Sequence, residues 1–350
     1  MKPLRWGILG TGGIARKFTE GLQFVADRCP VVAVGSRSLD RAQTFAATVP
    51  GCRAHASYQA LIDDPLVDVV YIALLNHLHA EWSIRAAHAG KHVLCEKPAA
   101  MTAVELDGIL HAVERAGTFF MEGFLYRCHP RWARLHELIA SGTIGELRLL
   151  HAAFSFNAGE KERLLSRAQG GGALMDVGCY PLSWLRWIAR AEPTTTTCLA
   201  TLNADGVDLT TNATLQFPGG VLGTMYTSCA VGRHVSATVF GSRGKIEITE
   251  PWRSTPGESA FIVHRDNGVE SITVADDGLN TYAREALTVA AHISNRQAPM
   301  MTWDDSRGQA RCLDTLRHQA GVWWNEESGM KKVEWRKWNG ESETGNVADF

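Results

Sequence analysis

The chain has 350 residues, 45% hydrophobic and 21% charged, which is more than one hydrophobic core usually organises and the composition of a globular protein of two domains. Its 35 lysines and arginines against 37 aspartates and glutamates leave a formal charge of −2, so nucleic acid and anionic membrane are not recruited by bulk charge, while a small neutral or anionic ligand stays open. No apolar run reaches the roughly 18 residues of a spanning helix, and eight cysteines lie scattered without a CxxC pair, which suits free buried thiols better than a disulfide frame or a zinc site.

The short polar lead before "WGILG" leaves no room for a secretory leader, and a cytoplasmic protein is expected. From Arg5 to about Phe124, short apolar runs alternate with helical periodicity, the signature of βαβ units around a parallel sheet. "RWGILG" reads as the first strand, followed by a helix with Ile14, Phe18 and Leu22 on one face. "VVAVGS", "VDVVYIAL", "KHVLCEKP" and "GTFFMEGF" read as further strands, and the helix before the last opens with Thr102 and Glu105 in capping-box register. Residues 1–124 are therefore expected to form a dinucleotide-binding domain.

After Phe124 the pattern changes. A helix is expected from Pro130 to Ser141, a strand from Leu147 to Phe156 and a helix from Asp176 to Arg190. Strands joined by hairpins at "FPGGV", "GSRGK" and "DNG" then run from Thr195 to Val274 and imply an antiparallel sheet. Helical periodicity returns at Tyr282 to Asn295 and Ser306 to Trp324. Residues 125–335 form the expected substrate-binding and dimerisation domain, and residues 336–350 a polar tail.

"GTGGIA" at Gly10 to Ala15 fits G-x-G-x-x-A between a strand and a helix. Gly10 permits the turn, Gly12 and Gly13 let backbone approach a pyrophosphate beside Ile14, and Ala15 allows close packing. About 20 residues on, where an acid would hold the ribose 2′-hydroxyl of NAD, stand Ser36 and Arg37, with Arg41 one helical turn further. A hydroxyl and two guanidiniums suit a 2′-phosphate, so NADP is expected; a merely solvated Arg37 keeps NAD possible.

Two more clusters fall at predicted strand ends, where ligands bind in open α/β sheets. Leu74, Asn76 and His79 in "LLNHLHAEW" are candidates for helix capping and cofactor contact. His77 and His79 have no third ligand of suitable spacing, so no metal is expected. Glu96 and Lys97 of "EKP" end the next strand, where a lysine facing the nicotinamide half can hydrogen-bond a substrate hydroxyl; a surface lysine in a turn is the plain alternative. The proline invites a cis Lys97–Pro98 bond.

"GILGTGGIA", "NHLH", "GKHVLCEKP", "MEGFLYRCHP" and "GGGALMDVGCYPL" stand in the order and spacing of the Gfo/Idh/MocA oxidoreductases, which the chain resembles from about Leu4 to Ile188. The resemblance implies a Rossmann domain, a C-terminal α+β domain with a large open, mainly antiparallel sheet, and nicotinamide in the cleft between them. It implies a catalytic Lys97, then an Asp and, four residues on, a catalytic His or Tyr, here Asp176 and Tyr180. A tyrosine there is similar to the branch holding dimeric dihydrodiol dehydrogenase, NADP-dependent D-xylose dehydrogenase and glucose-fructose oxidoreductase. In that branch the arginine of "MEGFLYR", here Arg127, lies near substrate or cofactor; Phe156 is a further candidate substrate contact. A homodimer through the free face of the C-terminal sheet is expected.

The chemistry agrees with this assignment. Oxidising an alcohol carbon requires loss of the hydroxyl proton as hydride leaves. A free tyrosine with a pKa near 10 is a poor base, and an adjacent ammonium such as that of Lys97 lowers that value. Asp176, one turn before Tyr180, is expected to orient substrate or lysine, or to cap the helix, and Cys95 and Cys179 are read as buried thiols. Gly170 to Gly172 would let the chain pass the cleft without side chains. The expected activity is oxidation of a sugar, cyclic polyol or vicinal diol. Reduction of a keto-sugar or dicarbonyl is the same chemistry reversed, and a non-catalytic cofactor-binding regulator is the reading from another class.

Overall fold

The computed structural model describes residues 2–253, 260–275 and 277–322. Six parallel strands form the first sheet: β1 (Trp6–Leu9), β2 (Val31–Gly35), β3 (Arg53–His55), β4 (Val69–Ile72), β5 (His92–Glu96) and β6 (Phe120–Gly123), in the order β3-β2-β1-β4-β5-β6. Between them run α1 (Gly13–Leu22), α2 (Leu39–Ala46), α3 (Tyr58–Ile62), α4 (His79–His88) and α5 (Ala103–Ala116). β1 and β4 are buried along their whole length, as strands covered on both faces must be. The strand order reverses between β1 and β4, which opens a crevice at their carboxyl ends. Strand β3, three half-buried residues reading "RAH", carries no apolar run and escapes a reading by hydrophobic pattern.

The second sheet has eight strands in the order β14-β13-β12-β11-β7-β10-β9-β8. They are β7 (Leu147–Asn157), β8 (Thr195–Leu202), β9 (Asp208–Gln216), β10 (Leu222–Ser228), β11 (Ala230–Gly241), β12 (Gly244–Ile248), β13 (Ala260–Arg265) and β14 (Gly268–Thr273). All neighbours are antiparallel except β10 with β7. Helices α6 (Arg131–Ala140), the single turn α7 (Glu162–Leu165), α8 (Cys179–Ala189), α9 (Thr281–His292) and α10 (Trp303–Gln319) complete the fold. Alternation divides the sheet: Leu150, Ala152, Met225, Ala237, Val239 and Ile246 face a buried core, while their neighbours Leu149, Thr224, Thr238 and Lys245 face outward.

The last two helices return to the first sheet. Gly21 of α1 lets α9 approach, since a Cβ there would stand 2.6 Å from the Cβ of Tyr282. On the other side Asp314 of α10 accepts the Ala103 N–H at 2.8 Å, and Arg307 pairs with Asp107 at 2.9 Å. Among the described residues no helix is long and apolar enough to cross a membrane. The expected tail at residues 336–350 lies outside the described residues.

Candidate active site in the cleft between the sheets

Gly10 turns the chain at the end of β1 with φ 102°, and a Cβ there would stand 2.6 Å from the Ala73 carbonyl oxygen, so only glycine fits. At Gly12 and Gly13 a Cβ would meet nothing within 4 Å, which is open space over the start of α1. No side chain caps that helix, and its first N–H groups face the opening, beside Ile14 and above the buried Ala15. These residues fit a bound pyrophosphate. At the end of β2 the Ser36 hydroxyl accepts the Ser38 N–H at 3.3 Å, while Arg37 and Arg41 are exposed and make no ion pair among the described residues.

The lysine loop follows β5, and its Lys97–Pro98 bond is cis. His79 does not reach the cleft. Its ring is 1% exposed, with Nδ1 at 2.7 Å from the Pro98 carbonyl oxygen and Nε2 at 3.2 Å from that of Leu74. Burial lowers its pKa to about 4, so the ring is neutral with one N–H, and the shorter contact is the one that N–H makes. Glu96 also turns inward: its carboxylate takes the Tyr71 hydroxyl and, at 3.3 Å, the Lys97 N–H, and burial raises its pKa. Both residues hold the loop through these contacts. A third support was not foreseen: Glu122 of β6 accepts the Ala99 N–H at 2.9 Å, and burial pushes its pKa to about 7. Its only signal in the sequence is an acid inside the apolar run "FFMEGF".

The three glycines are enclosed by protein rather than lining the cleft. A Cβ at Gly170 would stand 2.8 Å from the Met101 sulfur, and the Gly170 carbonyl accepts from Asn76 Nδ2 at 2.9 Å, which joins this segment to the first domain. A Cβ at Gly171 would stand 2.6 Å from the Leu164 carbonyl oxygen, and at Gly172 it would strike Asp208. The Asp208 carboxylate accepts the Leu174 N–H at 2.7 Å and so supports the start of the helix that follows.

That helix opens with a π turn over Leu174–Gly178 before α8 begins. Asp176 is therefore not a helix cap. Its carboxylate pairs with Arg163 at 2.8 Å, and it meets the lysine through its backbone: Lys97 Nζ donates to the Asp176 carbonyl oxygen at 2.6 Å. Burial disfavours the ammonium, but Cys179, Asp176 and Glu96 outweigh it and the Lys97 pKa is raised. The ammonium stands 4.9 Å from the centre of the Tyr180 ring. Lysine and tyrosine, 83 positions apart in sequence, are thus in contact.

Tyr180 sits among aromatic rings, with centroids at 5.7 Å for Phe124, 5.9 Å for Tyr126, 5.6 Å for Phe154 and 5.8 Å for Trp252. Its hydroxyl has no hydrogen-bond partner among the described residues. The expected lowering of its pKa is not found: burial first, then Glu96, hold it well above 10, because Lys97 lies over the ring face and does not offset them. Tyr180 is a neutral phenol, a proton donor as it stands.

Two expected substrate residues lie elsewhere. Arg127 is 3% exposed, pairs with Asp305, and donates to Ser183 O at 2.8 Å and Ser183 Oγ at 2.7 Å. Its guanidinium joins α8 to α10 and borders a separate concavity of about 960 Å³ with Trp132, His136 and Trp187, away from Tyr180. Phe156 packs with Ala158, Leu164 and Ala173 under the Lys161 ammonium, and Phe154 takes the place beside Tyr180. Two residues along a strand advance about 6.8 Å, enough to carry Phe156 past the tyrosine.

The family description "Oxidoreductase family, NAD-binding Rossmann fold" matches residues 4–124, and "GFO/IDH/MocA C-terminal domain" matches residues 132–247. The chain is 36% identical over 254 residues to the trans-1,2-dihydrobenzene-1,2-diol dehydrogenase of Mus musculus, covering 72% of this chain and 76% of the relative. Among solved structures it is similar to the 3-ketoreductase KijD10 of Actinomadura kijaniata in complex with NADP and TDP-benzene, at 26% identity, 91% and 98% coverage and a TM-score of 0.83. The aldose-aldose oxidoreductase of Caulobacter crescentus complexed with glycerol matches at 26% identity, the same coverage and a TM-score of 0.83. With both domains matched in order and the lysine loop and tyrosine helix in contact, the chain belongs to the Gfo/Idh/MocA oxidoreductases.

Proposed function

We propose that the chain is an NADP-dependent oxidoreductase that moves hydride between nicotinamide and an alcohol or hemiacetal carbon of a sugar, cyclic polyol or vicinal diol, with Tyr180 exchanging the proton and Lys97 assisting. The observation that carries the reading is the Lys97 ammonium over the Tyr180 ring at 4.9 Å, beside a hydroxyl that no other group among the described residues claims. The cofactor, when bound, supplies the hydride acceptor or donor. The residues supply the rest: Gly12, Gly13 and the start of α1 hold phosphate, and Tyr180 Oη holds or releases the proton. Two exposed guanidiniums with no ion pair among the described residues, Arg37 and Arg41, and the lack of an acid at the end of β2 support a 2′-phosphate.

The half-buried Phe154 beside Tyr180 supports a substrate with an apolar face, in keeping with the diol named for the mouse relative and the aldoses named for the Caulobacter neighbour. Reduction of a keto-sugar or dicarbonyl is the second reading, and the raised Tyr180 pKa favours it because a phenol donates. Residues 1–124 are assigned to the cofactor and the following sheet domain to substrate and to a second copy of the chain.

Fluorescence titration with NADPH and NADH, then turnover on aldoses, inositols, diols and their ketones, tests the reading. NADPH binding tighter by tenfold or more, about 1.4 kcal/mol, with turnover on at least one class is expected. Preference for NADH overturns the 2′-phosphate assignment. Cofactor binding without turnover of any alcohol or carbonyl overturns the enzyme in favour of a regulator.

A further inference from the structure

The single turn α7 brings one more side chain to the lysine site. Leu164 of that turn is 1% exposed and packs with Ala158 and Ala173. Its carbonyl accepts the Gly172 N–H at 2.9 Å, and the Ser166 carbonyl accepts the Gly171 N–H at 3.0 Å, so the glycine run clamps the turn in place. Arg163, the residue before Leu164, lies outside that packing with its guanidinium on Asp176, at 2.8 Å from Nη1 to Oδ1. The Arg163 side chain stays 47% exposed and that of Asp176 13%. Nε and Nη2 of Arg163 and Oδ2 of Asp176 have no hydrogen-bond partner among the described residues. Asp176 is also the residue whose carbonyl holds Lys97, so these donors and this acceptor stand beside the ammonium that lies over Tyr180.

We propose that Arg163 determines specificity: with Asp176 it grips the hydroxyl on the carbon next to the one that reacts, so that the enzyme selects vicinal hydroxyls over an isolated one. An ionised carboxylate only accepts and a guanidinium only donates, so each alone satisfies half of a hydroxyl, while the pair takes its proton and its lone pair together. The pair is neutral as a whole, and a carboxylate or phosphate on the substrate would meet the charge of Asp176, which favours a hydroxyl over an anion. The inference rests on the reading of Lys97 and Tyr180 given above and narrows its substrate class. The plain alternative is an ion pair that does no more than latch α7, and partly exposed pairs add little even to stability.

The probes are trans-cyclohexane-1,2-diol with cyclohexanol, and D-glucose with 2-deoxy-D-glucose, each pair differing by the hydroxyl beside the reacting carbon. The parent is expected to prefer the fuller member of at least one pair by about tenfold or more in kcat/KM, since a site built to bond a hydroxyl is left unpaired by the analogue that lacks it. Arg163→Ala is expected to bring that ratio to within about twofold, with the loss falling on the KM of the diol or aldose. Arg163→Lys keeps the charge and an ion pair with Asp176 but not the planar fork, and is expected to lose most of the ratio as well. Cofactor Kd is expected to stay within about twofold in both variants. A parent ratio below about threefold in both pairs, a ratio unchanged in Arg163→Ala or restored in full by Arg163→Lys overturns the inference. So does a loss shared equally by both members of a pair together with a lower melting temperature, which is the signature of a latch. A parent that prefers D-glucuronate to D-glucose by about tenfold, with that preference lost in Arg163→Ala, overturns it in favour of a carboxylate site. A parent that turns over none of these probes, or a Tyr180→Phe that keeps wild-type turnover, counts against the reading of Lys97 and Tyr180 instead.

Discussion

Tyr180 carries the proton in this reading, and its environment sets a direction. A phenol whose pKa is raised by burial stays protonated below its folded value, so the proton-donating form is present throughout the neutral and mildly alkaline range. Reduction of a carbonyl is accordingly expected to show a kcat independent of pH up to about 10. Oxidation needs the phenolate and is expected to rise about tenfold per pH unit over the same range. Stopped-flow or steady-state kcat profiles in both directions check this, and an oxidation rate already level near pH 7 would show that the phenolate is stabilised. Tyr180→Phe is expected to lose about 10²- to 10⁴-fold in kcat while cofactor Kd moves less than twofold. Lys97 and Tyr180 were legible as candidates because each sits in a motif tied to a strand end or a helix start. The contact through the Asp176 backbone was not, because sequence names side chains and this acceptor is a carbonyl.

At the scale of elements, the lysine loop is held from two sides by α4 and β6, through His79 to Pro98 and Glu122 to Ala99. Both supports titrate, with opposite signs. His79 has a folded pKa of about 4 against 6.5 unfolded, so the unfolded chain binds more protons between those values; stability is full above 6.5 and is lost as pH falls toward 4, by up to about 1.4 kcal/mol per unit. Glu122, about 7 folded against 4.5, binds more protons when folded, so its contribution is full below 4.5 and lost as pH rises toward 7. The two slopes oppose each other where they overlap, and the whole-chain curve hides them. His79→Asn, whose amide keeps the donor to Pro98, removes one of them. Urea unfolding is expected to show its deficit relative to the parent shrinking as pH falls from 6.5 to 4; a deficit independent of pH would mean His79 is not held neutral. Apart from β3, the strands of the first sheet were legible from apolar runs, and the second sheet from alternation and the glycines of its hairpins. The role of His79 was not, since "NHLH" reads alike whether the ring points to a cofactor or to Pro98. Nor was the choice of Phe154 over Phe156, which depends on how far α8 reaches along β7, a tertiary register that alternation leaves free. The π turn hid for a related reason: a spacing of four between Asp176 and Tyr180 suits an α-helix equally well.

At the scale of the whole molecule, one sheet face is covered by the chain's own helices, and the other is left uncovered by the described residues. The outward face carries Leu222 at 43% exposure, Val269 at 66% and Leu199 at 80%, with the half-buried Leu149 and Phe240 between them. Leu222, Leu149 and Phe240 lie opposite one another across β10, β7 and β11, and the row continues through Lys245 and His264 to Val269. The formal charge of −2 on the chain offers little repulsion to a second copy. Eight strands span seven gaps of about 4.8 Å, roughly 34 Å, and five residues on each strand cover about 17 Å. That footprint supplies much of the roughly 800 Å² per partner that a standard stable interface buries. A face of this size and composition, isologous about a two-fold axis, is expected to join two copies in solution. Sedimentation at micromolar concentration is expected to give the dimer mass. Leu222→Glu, which sets a carboxylate near the middle of the face and opposite its own symmetry mate or an apolar neighbour, is expected to give the monomer with an unchanged far-ultraviolet circular dichroism spectrum. A parent chain that sediments as a monomer overturns the assignment, and a dimer that survives Leu222→Glu moves the interface away from this face of the sheet.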